Sequence, residues 1–185
     1  MRKLKLQVQM SVNGYIAGPK GELDWLTWEW DDALKNYVNN LTDSVDTILL
    51  GRKMAEGFIN YWTDVVKNKA DSEEYPFAKK MVDYHKVVFT NTLDKSNWEN
   101  TRIAKDLIAE VKKIKQNSGK DIIVYGGASF VSSLIDHDMI DEYHLFINPV
   151  VLGEGLTIFN GRKNLKKINS TAFECGVVVS QYQSE

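Results

Sequence analysis

The sequence predicts an α/β fold in which helices cover both faces of a mixed, mostly parallel sheet that ends in antiparallel strands. Apolar runs of strand length alternate with helical spacing from residue 4 to residue 136, a pattern typical of parallel sheets. From Asp141 onward there are two strand-like stretches with no clear helix between them, so the last strands should be antiparallel. The 185 residues contain no repeat or linker and predict one domain, residues 1–185.

The first half of the chain predicts a strand, a loop, a helix, a second strand and a second helix, in that order. Apolar and polar residues alternate over residues 3–10, which predicts a strand with one buried face. After a loop rich in tryptophan, helical spacing follows Asp31 and Asp32, and either carboxylate could cap the helix. Residues 45–50 predict a buried strand that ends at Gly51, and residues 52–61 predict a short helix.

In the second half of the chain, strands and helices continue to alternate up to residue 136, and only strands are predicted after it. A helix is predicted to open near Pro76, because the fixed φ of proline suits a first helical turn. Residues 86–90 and 121–125 predict the third and fourth strands, with a helix over residues 104–114 between them. A helix over residues 128–135 follows, and residues 143–152 and 171–182 predict the final strands.

Composition excludes several classes of function. The formal net charge is -2 and the lysines are dispersed, so there is no basic footprint for nucleic acid. The N-terminus has no long apolar segment, which argues against a membrane span or a signal peptide and makes a cytoplasmic location the default. Cys175 is the only cysteine and the three histidines lack metal-ligand spacing, so we expect neither a disulfide nor a metal. Small molecules or proteins are therefore the expected partners.

Two strand-to-helix junctions carry glycine. Gly126 and Gly127 lack the Cβ atoms that would keep a phosphate from the unpaired N–H groups of the next helix. The alternative is that they only permit a tight turn. Gly51 and Arg52 form the second junction, where a guanidinium could pair with phosphate oxygens. No G-x-G-x-x-G or Walker A motif is present, so neither a Rossmann site nor a P-loop is predicted.

Four segments occur in the order in which a known family has them. They are residues 10–17, 50–53, 125–128 and a tail from residue 140 to residue 155. Together they resemble the dihydrofolate-reductase-like superfamily over nearly the whole chain. The tail is more similar to the reductase domain of the bifunctional riboflavin-pathway enzyme than to true dihydrofolate reductases. The resemblance implies a three-layer α/β/α fold with the mixed sheet described above.

The resemblance also implies a site for NADPH, with NADH left open. Met54 stands where the family often has threonine, and Asn91 replaces a common basic residue. The implied cis peptide would join Gly126 to Gly127. Ile16 and Ala17 match the segment that meets the nicotinamide, whereas Thr90 and Asn91 could instead form a hydrogen-bonded turn. The implied cofactor residues are Ile16, Ala17, Gly51, Arg52, Lys53, Met54, Phe89, Thr90, Asn91, Tyr125, Gly126, Gly127, Ala128, Ser129 and Phe130.

The expected activity is hydride transfer from a nicotinamide cofactor to a small heterocycle or its ring-opened ribityl precursor. Asp31 or Asp32 would be the catalytic acid, although helix capping explains both equally well. Trp25 and Trp28 could form a wall of the substrate cavity or pack beneath their own loop. Leu145 stands where true dihydrofolate reductases have a threonine that supports pterin binding. Dihydrofolate reductase and a nucleotide-binding protein without turnover are the alternatives.

The C-terminal strands suggest an assembly. The apolar stretch over residues 173–179 is predicted to lie at the margin of the sheet, where an unpaired strand edge can join a second copy. We therefore expect a homodimer.

Overall fold

An eight-stranded mixed sheet forms the middle layer of the computed structural model, which describes residues 1–185. The strand order is β4-β3-β2-β5-β1-β6-β8-β7, and every pair is parallel except the two made by β8. This is the predicted dihydrofolate-reductase-like arrangement. The elements are β1 (Leu4–Ser11), α1 (Asp32–Asp43), β2 (Val45–Gly51), α2 (Arg52–Asn68), α3 (Tyr75–Asp83), β3 (His85–Phe89), β4 (Thr101–Ala104), α4 (Leu107–Gln116), β5 (Asp121–Val124), α5 (Ala128–Asp136), β6 (Glu142–Asn148), β7 (Leu165–Ala172) and β8 (Val178–Ser184).

Helices cover both faces of this sheet, as predicted. On one face, α4 and α5 bury Val111 and Val131 against β1, β5 and β6. On the other face, α2 and α3 pack on β2 and β3, whereas α1 packs Leu34 on Phe146 of β6. Central strands are therefore buried on both sides, which explains their continuous apolar runs. None of the helices is both long and apolar enough to span a membrane.

The structure differs from the predicted elements in three places. The strand predicted over residues 171–182 comprises the end of β7, a turn and most of β8, and β7 was not predicted as a separate strand. Helix α2 runs to Asn68 rather than ending at Tyr61, because Val65 in its last turns is fully buried. Strand β4 was not predicted. It has only four residues, and its pairing with β3 comes from the tertiary fold rather than from a local pattern.

The first strand also differs from its prediction. The apolar side of β1 is buried as expected, but Lys5 and Gln7 on the polar side are only 8% and 7% exposed. They lie beneath α1, and Lys5 is held by Asp121 at 2.9 Å and by the Ser44 hydroxyl at 2.8 Å. Polar residues on this strand thus do not indicate a solvent-facing side.

The premise of the dimer prediction was wrong. Residues 173–179 form the end of a hairpin and the start of β8, which is paired on both sides by β6 and β7. The sheet margin is β7, whose exposed Lys166 and Lys167 disfavour edge-to-edge pairing. A homodimer remains an expectation, but it would have to use another surface.

Candidate functional site

The two glycine junctions lie side by side and touch. They follow β2 and β5, which are parallel neighbours. A Cβ on Gly51 would come within 3.0 Å of the Phe130 Cβ, and one on Gly126 would come within 3.3 Å of the Met54 sulfur. Glycine at both positions therefore lets the starts of α2 and α5 approach closely at the carboxyl end of the sheet, where open α/β sheets bind ligands.

The second junction presents free backbone donors. Gly126 and Gly127 have φ values of 156° and 73°, which favour glycine, and neither N–H has a hydrogen-bond partner in the protein. No peptide bond is cis, so the prediction of a cis Gly126–Gly127 bond was wrong. The left-handed φ angles make the turn with trans peptides. Unpaired N–H groups at a helix start favour an anion.

The two helices that begin at these junctions lack side-chain caps. Asp31 caps α1 and Asp106 caps α4 with side-chain oxygens. Helices α2 and α5 begin at Gly51 and Gly127, with no side-chain cap and no acidic residue in the first turn. Helix α3 also lacks a side-chain cap, but α2 and α5 are the uncapped helices whose starts meet at the sheet edge.

Arg52 and Lys53 add positive charge at the same point. Both side chains are exposed in the first turn of α2, and neither forms an ion pair. Cations at a helix N-terminus oppose the helix dipole, so this placement is unfavourable without a nearby anion. The arrangement suits phosphate groups.

The end of β3 completes this edge. Phe89 is aligned with Gly51, and its ring lies 5.3 Å from that of Phe130. The Thr90 hydroxyl accepts from the Thr92 N–H at 3.1 Å, the turn foreseen as the alternative to ligand contact. Asn91 is exposed and neutral.

The side chain of Tyr125 is partly buried against α2 and α3. Its ring stacks on Phe58 at 5.4 Å and its hydroxyl points to the Met81 sulfur at 3.7 Å. Burial raises the pKa of its hydroxyl. The side chain therefore supports the junction by packing against Phe58 of α2 and Met81 of α3.

Ile16 and Ala17 are fixed by a segment that sequence reasoning did not select. Leu156 accepts from the Ile16 N–H at 2.8 Å and donates to the Ala17 carbonyl at 2.9 Å. The C=O of Ile16 and the N–H of Ala17 remain without partners, although both residues are buried. Gly155 permits this pairing, because a Cβ there would collide with the Ala17 carbonyl. Gly155 lies in the tail that carries the family resemblance, and this position was the sequence signal that could have identified it.

A groove of about 490 Å³ connects this segment to α5. Ala128 and Ser129 form one wall and Gly155 and Leu156 the other, with Thr157 and Asn160 further along. Ala128, Ser129 and Phe130 thus occupy the first turn of α5, between the groove and the junction at Gly51.

Asp31 and Asp32 sit at the start of α1, and of the two only Asp31 caps the helix. The Asp31 carboxylate accepts from the Leu34 N–H at 2.8 Å and from the Cys175 N–H at 3.0 Å. These hydrogen bonds lower the pKa of Asp31, and the bond from Cys175 has the largest effect. The lowered pKa favours the ionised carboxylate, which cannot donate a proton. The Asp32 side chain is 98% exposed, with Lys35 3.9 Å away. Neither geometry singles out a catalytic acid.

The tryptophans occupy the loop before α1. Trp25 is half-buried and donates its indole N–H to the Glu22 carbonyl at 3.1 Å. Trp28 is 67% exposed, so it does not pack beneath the loop. Its exposed ring is available to a ligand, whereas Trp30 packs against Phe146 at 6.2 Å.

Comparison with known proteins identifies the family. The family model of the RibD C-terminal domain matches residues 2–179. The uncharacterized protein YyaP of Bacillus subtilis (strain 168) is 35% identical over 184 residues, covering 98% of this chain and 94% of that protein. The riboflavin biosynthesis protein RibD of Corynebacterium ammoniagenes is 20% identical over 165 residues, which cover 83% of this chain and 44% of that protein.

Solved structures agree in fold. A pyrimidine reductase-like protein from Corynebacterium diphtheriae superposes with a TM-score of 0.65 at 14% identity, covering 100% of this chain and 92% of that one. A diaminohydroxyphosphoribosylaminopyrimidine deaminase/5-amino-6-(5-phosphoribosylamino)uracil reductase from Thermotoga maritima gives 0.64 at 17% identity, covering 100% and 57%. The chain therefore belongs to the RibD C-terminal domain family, whose fold is that of dihydrofolate reductase.

Proposed function

We propose that the protein is an NAD(P)H-dependent reductase that transfers hydride to a small heterocyclic substrate of the aminouracil type. The observation that carries the proposal is the pair of touching, uncapped helix starts with unpaired N–H groups at Gly126 and Gly127. Arg52 and Lys53 supply the charge that a pyrophosphate would need. Family membership supports the reaction class, and the similarity to the Thermotoga maritima reductase of 5-amino-6-(5-phosphoribosylamino)uracil supports the substrate class.

Each part of the site has a distinct task in this proposal. The cofactor supplies the hydride, and the protein binds and orients the reactants. The junctions at Gly51 and Gly127 would hold its phosphates, because backbone N–H groups and helix dipoles favour anions there. The peptide group between Ile16 and Ala17 would contact the nicotinamide carboxamide, since its C=O and N–H have no protein partner. Fixing that peptide to Leu156 preorganises the contact.

Cofactor binding is tested by thermal unfolding with NADPH and with NADH, measured separately. A ligand selective for the native state raises the melting temperature according to its affinity. We expect a rise in the wild type, and a loss of about tenfold in affinity for Arg52→Ala from the missing phosphate contacts. Lys112→Ala, an exposed lysine on α4, is the matched control and should behave as wild type.

Turnover is tested with 5-amino-6-(5-phosphoribosylamino)uracil as the substrate. We expect NAD(P)H oxidation that depends on this compound and is weakened by Arg52→Ala. Cofactor binding without turnover of this or related aminouracils would instead favour a nucleotide-binding protein. No thermal shift with either nucleotide would contradict the proposal entirely.

A further inference from the structure

Asn148 at the end of β6 is fully buried, and its backbone partners fix which way its amide points. Its side-chain oxygen accepts from the Thr27 N–H at 3.0 Å. Its side-chain nitrogen donates to the Phe146 carbonyl at 3.2 Å. A flipped amide would set donor against donor and acceptor against acceptor, so the orientation of Asn148 is determined.

This orientation determines that of Gln9. The Asn148 nitrogen also donates to the Gln9 Oε1 at 2.8 Å. Gln9 must therefore present its oxygen to Asn148 and keep its NH₂ group free. That group has no partner in the protein, and the residue is only half-buried, so water or a ligand can reach it.

Gln9 stands close to the proposed cofactor site. It lies near the carboxyl end of β1 and is aligned with Phe146, which packs beneath α1, so its side chain is on the face covered by α1. Leu6 pairs with Val124 on the neighbouring strand. Strand β5 ends at Val124 and leads directly to the glycine junction, so Gln9 and this junction both lie at the carboxyl end of the sheet. A primary amide in such a central strand is unusual, because this position is normally apolar.

We propose that Gln9 is a specificity-determining residue that donates its side-chain N–H to a ring carbonyl of the substrate, and that Asn148 is its positioning residue. The proposal rests on the proposed reductase function, since it concerns the substrate of that site. Asn148 makes the site selective for an acceptor, because it removes the alternative in which Gln9 offers its oxygen. Pyrimidinediones carry carbonyl acceptors at these ring positions, whereas their amino analogues carry NH₂ donors there.

A matched pair of probes tests whether Gln9 offers a hydrogen-bond donor rather than an acceptor to the substrate. One is 5,6-diaminouracil, and the other is 2,4,5,6-tetraaminopyrimidine, in which amino donors replace both ring carbonyls. Both are titrated calorimetrically with and without saturating NADPH. We expect the wild type to bind the uracil about tenfold more tightly, the effect of one matched hydrogen bond. Gln9→Glu keeps an acceptor for Asn148 and turns an oxygen outward, so it should reverse the preference.

Two further variants separate this role from a structural one. Gln9→Met keeps the shape and should bind both probes equally. Gln116→Glu adds the same charge as Gln9→Glu at an exposed site on α4 and should retain the wild-type preference. NADPH-induced stabilisation should be unchanged in the Gln9 variants.

Results that contradict the role of Gln9 can be distinguished from results that contradict the proposed cofactor binding. Wild-type protein that binds neither probe, or that prefers neither, overturns the role of Gln9 even if NADPH binds. A preference that persists in Gln9→Met overturns it as well. Probe selectivity that depends on Gln9 without any NADPH shift would support Gln9 while contradicting the cofactor proposal.

Discussion

Substituting alanine for Gly155 should detach the segment that holds Ile16 and Ala17. The new Cβ would collide with the Ala17 carbonyl and lie 3.0 Å from the Tyr15 ring. Backbone oxygen cannot swing aside as a flexible side chain can, so the strands of the bridge must separate. This breaks the bonds between Ile16 and Leu156 at 2.8 Å and between Leu156 and Ala17 at 2.9 Å.

The cost follows from these contacts. Two backbone hydrogen bonds contribute about 1 kcal/mol each, and residual overpacking adds about 1 kcal/mol. We therefore expect Gly155→Ala to lower the free energy of unfolding by about 2 to 4 kcal/mol, or the melting temperature by roughly 5 to 10 °C. The affinity for NADPH should fall about tenfold as well, because the unpaired peptide group between Ile16 and Ala17 moves.

Urea unfolding and calorimetric titration with NADPH measure the two effects. Gly153→Ala is the matched control, since a Cβ there meets nothing within 4 Å in the same segment. It should change the free energy of unfolding by less than about 0.5 kcal/mol. Equal stability and NADPH affinity in the two variants would refute the claim that Gly155 positions the nicotinamide segment.

Three further outcomes are expected. Asp31→Asn keeps one acceptor for a backbone N–H, so the melting temperature should fall by only roughly 2 to 4 °C and turnover should persist; a large turnover loss at unchanged stability would identify Asp31 as the acid. The His144 ring and the Lys3 ammonium lower the pKa of Glu142 to about 2. The ionised carboxylate therefore contributes fully to stability above its ordinary pKa of 4.5. About 1 to 2 kcal/mol of the free energy of unfolding is lost as the pH falls towards 2. Glu142→Gln should flatten that acid limb in urea unfolding. Methotrexate should not inhibit turnover, because Leu145 packs into the core beneath α4 and α5; tight inhibition would indicate a dihydrofolate reductase.

The sequence predicted the elements whose signals are local. Apolar runs predict buried parallel strands such as β2. Glycine at the strand-to-helix junctions is required by the local geometry. Strand β4 has no such signal, since β3 supplies its pairing partner. Alternation over residues 3–10 predicts one buried face of β1, yet Gln7 on the other face is buried and Gln9 is half-buried. Alternation gives the period of a strand and not what covers its polar face.

Two departures from the family pattern bear on cofactor choice. Met54 brings a sulfur against Gly126, so it packs the junction instead of offering the hydroxyl that threonine would supply. Asn91 leaves the end of β3 without a charge, and nearby Lys105 is paired with Asp94 at 2.6 Å. Phosphate binding would then depend mainly on Arg52 and the helix starts, which contact groups common to NADH and NADPH. The additional phosphate of NADPH has little free charge to meet at β3, so the thermal shifts with the two cofactors should be similar.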